Sequence, residues 1–377
     1  MDKSVIFSVA GSGKTSLIIE RLSLDQRALI ITYTDNNHRH LRNRIIQRFG
    51  MIPSNITLMT YFSFLHGFCH RPLMQLQLGT RGLNFRRPPD KQYPLDDIKR
   101  YRDGSGRLYH CRLAKLLQVV GAMPDVRARL ERFYDCLYVD EVQDFAGHDF
   151  NLLLEVSRAK ISSTFVGDFH QHTFDTSRDG AINRSLHDDV ARYEKRFRDA
   201  GITVDKATLS RSWRCSTTVC DFISAKLQIA IGAHEDRASR IITVDDQDQA
   251  NLLHADPTIV KLFLSEHYKY GCHSQNWGAS KGMDHFNDVC VVMGPGIWKD
   301  YLAEKLHQAN QQTRNKLYVA CTRARGDLFF VPEKLLKAFK QGKKAIVNRR
   351  GISRYSVTAL GRLEPVAWGR GRRVGTI

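Results

Sequence analysis

The sequence predicts an α/β protein built on two parallel sheets. Short, continuously apolar runs recur along the chain, and three of them end in glycine or acidic residues. Stretches of helical pattern separate these runs, as the crossover connections of a parallel sheet require. Ligands of such sheets bind at the carboxyl ends of the strands. The glycines and acids there are therefore the first candidates for a functional site.

The apolar runs fall into two groups. Strands are predicted at 4–8, 28–34, 136–139 and 163–166 for one sheet, and at 241–244, 289–292 and 328–331 for the other. Helices are predicted at 14–22, 217–231, 250–265 and 301–319. The predicted first α/β domain comprises 1–65 with 134–202, and it is interrupted by a Pro- and Gly-containing inserted subdomain at 66–133 that is expected to contact DNA. A second α/β domain is predicted at 203–332 and a basic tail at 333–377.

The composition favours a polyanionic partner. The sequence carries 57 Lys and Arg against 39 Asp and Glu, a net charge of +18 with a pI near 9.7. Such an excess is typical of nucleic-acid binding, although a generally basic protein would share it. About ten of the excess charges lie in residues 333–377. In residues 81–115 cations alternate with aromatic residues, which suits either strand contact with base stacking or a solvated insert.

The cellular location of the protein is predicted from sequence patterns that are missing. No apolar run reaches the ~18 residues of a membrane-spanning helix, and the apolar stretch at the N-terminus is too short for a signal peptide. The eight cysteines form no CxxC pair and no framework of the kind found in small secreted domains. These observations predict a cytoplasmic protein without a membrane partner.

A glycine-rich loop between the first strand and the first helix predicts a nucleoside triphosphate site. The loop comprises Ala10, Gly11, Ser12, Gly13, Lys14 and Thr15. Its glycines let backbone N–H groups turn toward phosphate oxygens, and the helix N-terminus adds positive potential. Lys14 is expected to bridge the β- and γ-phosphates, and Thr15 is expected to ligate Mg²⁺.

Asp140 and Glu141 follow an apolar strand predicted to lie in the same sheet. Alone, such a pair is better explained as solvated loop carboxylates. Combined with the Lys14 loop, the pair indicates an active site. Asp140 would then hold Mg²⁺, and Glu141 would polarise the attacking water as a general base.

Four blocks in a fixed order resemble the motifs of superfamily 1A DNA helicases of the UvrD, Rep and PcrA type. They are the glycine-rich loop and the segments 140–144 (DEVQD), 167–171 (GDFHQ) and 317–324 (LYVACTRA). A phosphate loop with an acidic strand end occurs in many ATPases. The last block, 317–324, is the one that points to this helicase family among them. The resemblance implies two RecA-like motor domains, ATP with Mg²⁺, and 3′–5′ movement on single-stranded DNA or a tailed duplex.

The resemblance also implies roles for individual residues. The catalytic set would be Glu141, Gln171, Arg214 and Arg323, with Gln171 sensing the γ-phosphate and the arginines acting as two fingers. Trp213 would stack on the base of the nucleotide. Gly282 and Asp284 belong to a segment similar to the family's Lys-Gly-Leu-Glu, which would place Asp284 near the ribose.

Segments 32–36 and 60–64 resemble the family's motifs Ia and Ib, which hold the DNA strand. Aromatic residues there would stack on bases and hydroxyls would contact phosphates. Core packing explains an aromatic residue equally well, so about half of those at 33, 61, 62 and 64 are expected to be core. The predicted DNA contacts are Thr32, Tyr33, Thr34, Asn36, Thr60, Phe62, Ser63, Phe64 and Phe174.

The sequence departs from the family at four places. Thr176 and Ser177 stand near where the family usually has a base-stacking Trp, for which Phe174 would substitute. The glutamine-containing segment that reads adenine has no counterpart before the phosphate loop, which weakens the expectation of strict ATP use. Gly278 replaces the usual His. About sixty residues separate Arg214 from Lys281, so the family's large 2B insertion does not fit there.

Three functions remain open at this point. The leading hypothesis is an ATP-driven motor on single-stranded DNA, in repair, replication or phage defence. The alternative is a regulatory DNA-binding ATPase subunit that switches a partner nuclease without processive unwinding. Short UvrD-like helicases occur beside nucleases in antiviral systems such as Gabija, and this chain is similar in size and motif content. The third hypothesis is an RNA-directed helicase, because basic charge and aromatic stacking bind RNA as well as DNA.

Overall fold

Two parallel sheets form the framework of the chain. The computed structural model describes residues 2–89, 92–173, 179 and 181–341. The first lobe (residues 2–205) has a six-stranded sheet of order β3-β2-β6-β7-β1-β8. The second lobe (residues 206–341) has a five-stranded sheet of order β11-β15-β14-β12-β13. Every neighbouring pair in both sheets is parallel. The predicted α/β fold class, with two RecA-like parallel sheets, is confirmed.

The first lobe alternates strands and helices. Its strands are β1 (Lys3–Phe7), β2 (Ala28–Thr32), β3 (Ile56–Thr60), β4 (Leu83–Asn84), β5 (Leu108–Tyr109), β6 (Cys136–Asp140), β7 (Ser162–Gly167) and β8 (Thr203–Asp205), of which β4 and β5 pair apart from the main sheet. Its helices are α1 (Lys14–Arg21), α2 (Asp35–Phe49), α3 (Tyr61–Ser63), α4 (Arg71–Leu78), α5 (His110–Val119), α6 (Met123–Phe133), α7 (Gly147–Val156) and α8 (Val190–Asp199). All residues of β2 and β6 are buried, as in a sheet covered on both faces.

The segment predicted as an inserted subdomain packs closely on the first sheet. Leu113 and Leu117 of α5 and Leu130 of α6 lie in the same core cluster as Val5 of β1 and Leu29 of β2. These helices therefore cover one face of the sheet. Strand β8 pairs with β1 at the edge of the first sheet, so the first lobe extends through residue 205, three residues beyond the predicted end at 202.

The second lobe repeats the alternation with shorter elements. Its strands are β9 (Arg211–Ser212), β10 (Gly232–Ala233), β11 (Ile241–Thr243), β12 (Val260–Phe263), β13 (Ser274–Asn276), β14 (Val289–Met293) and β15 (Leu328–Pro332), with β9 and β10 paired apart from the main sheet. Its helices are α9 (Thr217–Phe222), α10 (Gln247–Ala255), α11 (Pro295–Leu302) and α12 (Gln311–Cys321). Two π-helical turns, Phe64–His70 and Ile223–Leu227, extend α3 and α9.

Two of the predicted helices are interrupted for local reasons. The helix predicted at 250–265 ends at Ala255, because Asp256 precedes Pro257 and a residue before proline is biased away from helix. The chain then forms β12, a buried inner strand. The helix predicted at 301–319 is two helices, and the second begins where the Asn310 side chain accepts a hydrogen bond from the Thr313 N–H at 2.9 Å.

Two predictions fall largely outside the described residues. Phe174 lies there, as does the predicted basic tail beyond residue 341. In the described part of the tail (333–341), Glu333–Phe339 forms a 3₁₀ helix, and its Leu336 is buried in the same core cluster of the second lobe as Val331. Within the described ranges, no helix is long and apolar enough to cross a bilayer.

Candidate active site

The glycine-rich loop and the acidic residues meet at one edge of the first sheet. The loop follows β1, Asp140 ends β6, and Asp168 follows β7. Strand β7 lies between β1 and β6, with Phe7 paired to Gly167 and Asp140 paired to Val166. Since all three strands run in the same direction, their carboxyl ends bring these groups together, as the sequence predicts.

The loop has the backbone geometry of an anion site. Gly11 and Gly13 have φ of 71° and 92°, a left-handed conformation that favours glycine. Gly13 begins α1 without a side-chain cap, so the first N–H groups of the helix are available to an anion. Gly11 also packs tightly, since a Cβ there would lie 2.7 Å from the Arg214 Cβ. A larger residue would push Arg214 away from the loop.

Asp140 and Glu141 differ in their surroundings. The Asp140 side chain is buried, and its Oδ1 accepts no hydrogen bond from the described residues. Burial and the neighbouring Glu141 raise its pKa, while Lys14 opposes the shift. A buried oxygen without a partner fits a cation ligand, so the residues present fit the Mg²⁺ that the resemblance implies.

Glu141 is held in a strained, charged state. Its backbone is left-handed, with φ of 56°. The Gln143 amide donates a hydrogen bond to its Oε2. Burial alone would raise the pKa of Glu141, but Lys281 and Lys14 outweigh burial and hold that pKa below its usual range. The carboxylate is therefore ionised at neutral pH, as a general base must be.

Lys281 joins the two lobes at these acids. Its Nζ donates to both oxygens of Asp144 at 2.7 and 2.9 Å and lies 3.7 Å from a Glu141 oxygen. The Lys281 and Asp144 side chains are nearly buried, so solvent screens the pair weakly. A cation of the second lobe thus fixes the acidic segment of the first.

Tyr318 of α12 makes a second connection across the lobes. Its hydroxyl accepts a hydrogen bond from the Ala10 N–H at 2.8 Å and donates to Asp168 Oδ2 at 2.9 Å. Burial raises the pKa of Asp168 to about 6, with Lys14 and the Tyr318 hydroxyl opposing the rise. The helix of the LYVACTRA block is therefore bonded directly to the phosphate loop.

Replacing Tyr318 by Phe should cost about 1–3 kcal/mol of unfolding free energy, because two buried polar groups lose their shared partner. Urea unfolding of the variant and of wild type measures the loss. Tyr301→Phe is the matched control, since the Tyr301 hydroxyl bonds Thr243 at an exposed position. Equal losses in the two variants would contradict a connecting role for Tyr318.

The two predicted finger arginines share one carboxylate oxygen. Asp284 Oδ1 accepts from Arg214 Nη2 at 2.5 Å and from Arg323 Nη1 at 3.2 Å. The Arg323 Nε also donates to the Val319 carbonyl at 3.1 Å, while an Arg214 Nη donates to the Thr322 carbonyl at 3.2 Å. The structure brings all three predicted residues together, with Asp284 against the arginines.

Trp213 lies beside the phosphate loop. Its backbone N–H donates to the Gly11 carbonyl at 2.9 Å. One face of its indole stacks on His234 at a centroid distance of 3.7 Å, and the side chain is 52% exposed. A half-exposed indole stacked on one face suits a planar base on the other.

The remaining nucleotide-site candidates lie on nearby segments. Gln171 is 4% exposed and ends the 3₁₀ turn Phe169–Gln171 after β7. Gly282 has φ of 80° and precedes Asp284 by two residues. The Gly278 site is crowded, because a Cβ there would lie 3.2 Å from the Thr173 Cβ of the first lobe. Glycine in place of the family's His therefore permits this close contact between the lobes.

The predicted DNA contacts divide by exposure. Asn36 and Ser63 are exposed, and Tyr33, Thr34, Thr60 and Phe62 are half-buried. Thr34 and Thr60 also cap α2 and α3 through their hydroxyls. Thr32 and Phe64 are 0% and 1% exposed. These two expectations are corrected, since a buried side chain offers no surface to a strand.

Phe64→Ala should lower the unfolding free energy by about 3–5 kcal/mol, because a buried ring leaves a cavity in the core. Phe62→Ala, at a half-buried position, should cost less stability and instead weaken strand binding by about 1–3 kcal/mol. Urea unfolding and fluorescence anisotropy with a labelled oligonucleotide separate the two effects. Normal stability of the Phe64 variant would contradict the core assignment.

Several contact residues were missed from the sequence. The resemblance assigns roles to Gly282 and Asp284 but none to Lys281, which directly precedes Gly282. The Tyr318 connection and the His234 stack depend on contacts between distant segments, which no local pattern reveals. Phe85 and His110 extend the aromatic surface of Phe62, with ring centroids 5.4 and 5.5 Å from it.

Comparisons with known proteins give structural neighbours only. No protein-family model matches the chain, and no curated protein does. A PRRSV helicase structure aligns over 88% of this chain and 52% of its own, with a TM-score of 0.44 and 17% identity. A complex of an arterivirus nonstructural protein 10 (helicase) with DNA aligns over 89% of this chain and 63% of its own, with a TM-score of 0.44 and 15% identity. The chain thus spans roughly half to two thirds of these neighbours' length.

Proposed function

We propose that this protein is a nucleotide-driven motor that moves along single-stranded DNA. The observation that carries the proposal is the convergence of Lys14, Asp140 and Glu141 in one lobe with Arg214 and Arg323 in the other. Glu141 lies within electrostatic reach of both Lys14 and Arg323. A phosphate bound at the loop would therefore meet cations from both lobes.

Chemical roles follow from these positions. The loop N–H groups and Lys14 would bind the β- and γ-phosphates, while Thr15 and Asp140 would hold Mg²⁺. When bound, that ion neutralises phosphate charge and fixes the position of the oxygens. Glu141 would accept a proton from the attacking water, and the two arginines would stabilise the charge that develops on the phosphoryl oxygens.

Movement would come from the interface between the lobes. Lys281 and Tyr318 belong to the second lobe and bond Asp144 and the loop residue Ala10 of the first. Arg214 and Arg323 belong to the same lobe, where both bond Asp284. Loss of the γ-phosphate removes the ligand that both lobes share, so the interface weakens and the lobes part. Alternating closure and opening would give directed steps, in the 3′–5′ direction that the family resemblance implies.

The strand would lie over the half-buried and exposed residues that follow β2 and β3. Tyr33 and Phe62 are half-buried, and Phe85 is 62% exposed and stacked on His110. Aromatic faces beside exposed cations bind single strands with little sequence preference. The net charge of +18 supports this assignment.

A regulatory ATPase that switches a partner nuclease is the second candidate. The observation that favours it is the compact second lobe, in which a short segment connects Arg214 to Lys281 where the family has a large insertion. Such a protein would close on DNA and nucleotide without processive movement. Streptavidin displacement from a biotinylated strand separates the two, because only a translocating protein displaces it.

Hydrolysis of ATP tests the proposal first. Rates are measured without nucleic acid and with single-stranded DNA, single-stranded RNA or duplex DNA, and Lys14→Ala is the control. Stimulation by single-stranded DNA that disappears in the variant is expected. Hydrolysis that ignores every nucleic acid would overturn the motor, and stronger stimulation by RNA would transfer the proposal to an RNA substrate.

A further inference from the structure

The side chain of Asp284 makes two contacts with arginines that a role in ribose binding does not explain. Its Oδ1 bonds both Arg214 and Arg323, and the Asp284 side chain remains 54% exposed. The arginine side chains are only 10% and 2% exposed. Two nearly buried cations thus face one accessible anion.

Cations of both lobes act on the Asp284 carboxylate. Lys14 of the opposite lobe attracts the Asp284 carboxylate, and it also attracts Asp140 and Glu141. Burial opposes ionisation of Asp284, but Arg214, Arg323 and Lys14 hold its pKa below the usual range. The carboxylate is therefore charged at neutral pH and partly satisfies the cations that would meet a γ-phosphate.

We propose that Asp284 is an internal competitor of the γ-phosphate, a positioning residue that holds both finger arginines until nucleotide displaces it. The proposal rests on the proposed function, since it assumes that these arginines meet the phosphate. The side chain stands in for the phosphate anion, which keeps two guanidiniums close together without nucleotide. Incoming phosphate must then break two charge-assisted hydrogen bonds.

The buried positions of Arg214 and Arg323 explain why both need a nearby anion. Burial lowers the pKa of Arg323 to about 10, with Arg214 adding to the shift and Asp284 opposing it. The Arg214 Nε is buried without a hydrogen-bond partner among the described residues. Removing the carboxylate would leave both cations uncompensated and would make the site more attractive to any other anion.

Inorganic tripolyphosphate tests the role, because it carries the phosphates of ATP without a ribose. Its affinity for the full chain is measured by calorimetry for wild type, Asp284→Asn and Asp284→Glu. The Asn variant should bind tripolyphosphate about tenfold more tightly, because the charged carboxylate no longer competes with phosphate for the two arginines. The Glu variant keeps the charge and should stay within about threefold of wild type. Asp245→Asn, an exposed carboxylate of the same lobe, is the control and should not change affinity.

Structural damage would weaken tripolyphosphate binding. Tighter binding by Asp284→Asn therefore supports the competitor role. In an Arg214→Ala background the effect of Asp284→Asn should shrink, because one of the two competing contacts is already absent. If the Asn variant does not fold, Asp284→Ser removes the same charge and is measured instead.

Opposite outcomes overturn the proposal in distinguishable ways. Unchanged or weaker tripolyphosphate binding in Asp284→Asn would overturn the competitor role alone. A variant that loses affinity for ATP but not for 3′-deoxy-ATP would assign Asp284 to the ribose and would also overturn it. A wild-type chain that binds no tripolyphosphate would overturn the phosphate site itself, and the competitor with it.

Discussion

Arg323→Ala is expected to lower the rate of ATP hydrolysis by about 10³-fold or more, the range measured for arginine fingers. The phosphates would be bound mainly by the loop of the first lobe, whereas Arg323 lies in the turn that follows α12 in the second lobe. Removing it should therefore affect the transition state much more than nucleotide binding. Steady-state kinetics should show a fall in kcat with little change in KM.

Two controls separate catalysis from folding. Arg325 lies two residues away, is exposed, and donates through Nε to the Asp284 backbone carbonyl, so Arg325→Ala should keep near wild-type rates. Arg323→Lys keeps a charge but loses the planar fork, and it should recover little activity. A kcat within tenfold of wild type in a folded Arg323→Ala variant would contradict the finger assignment.

The sequence predicts the central strands, and the meeting of the glycine loop with the acidic residues, because both depend on local pattern. Continuous apolar runs identify β1, β2, β6 and β7, whose residues are mostly buried. The glycine loop and the acids at the ends of these strands meet because parallel strands share an edge, and that rule needs no knowledge of packing.

The errors arise where packing or a single residue decides. Strand β12 contains Lys261, and a lysine within an apolar run fits the polar face of a helix. In the fold that lysine is fully buried, and its Nζ donates to the Asp256 carbonyl. Burial lowers its pKa. Pro257 was the local signal that could have ended the helix in the right place.

Contacts between the lobes were the hardest to predict. Lys281 and Asp144 are 137 residues apart in the sequence, and Tyr318 and Ala10 are 308 apart. Their pairing depends on how two separately folded sheets dock. The resemblance to a family implies arginines near the loop and Asp284 near the ribose. The structure places Arg214 beside Gly11 and pairs Asp284 with both guanidiniums, and the local sequence pattern indicates neither contact.

Glu141→Gln is expected to reduce hydrolysis by about 10²–10⁴-fold while nucleotide remains bound. The substitution keeps the shape of the side chain and removes its ability to accept a proton. The left-handed backbone at Glu141 is fixed by the turn after β6, so the amide should occupy the same place. Rapid mixing with ATP should detect binding without a burst of phosphate.

Asp144→Asn is the informative comparison, because it alters the neighbouring acid without removing the proposed base. It weakens the bond that Lys281 makes across the lobes, and a buried lysine that loses part of its charge compensation costs stability. We therefore expect a lower unfolding free energy and a fall in kcat smaller than that of Glu141→Gln. If Asp144→Asn abolished hydrolysis and Glu141→Gln did not, the general base would be Asp144. Lys281 would then have to leave that carboxylate during each cycle.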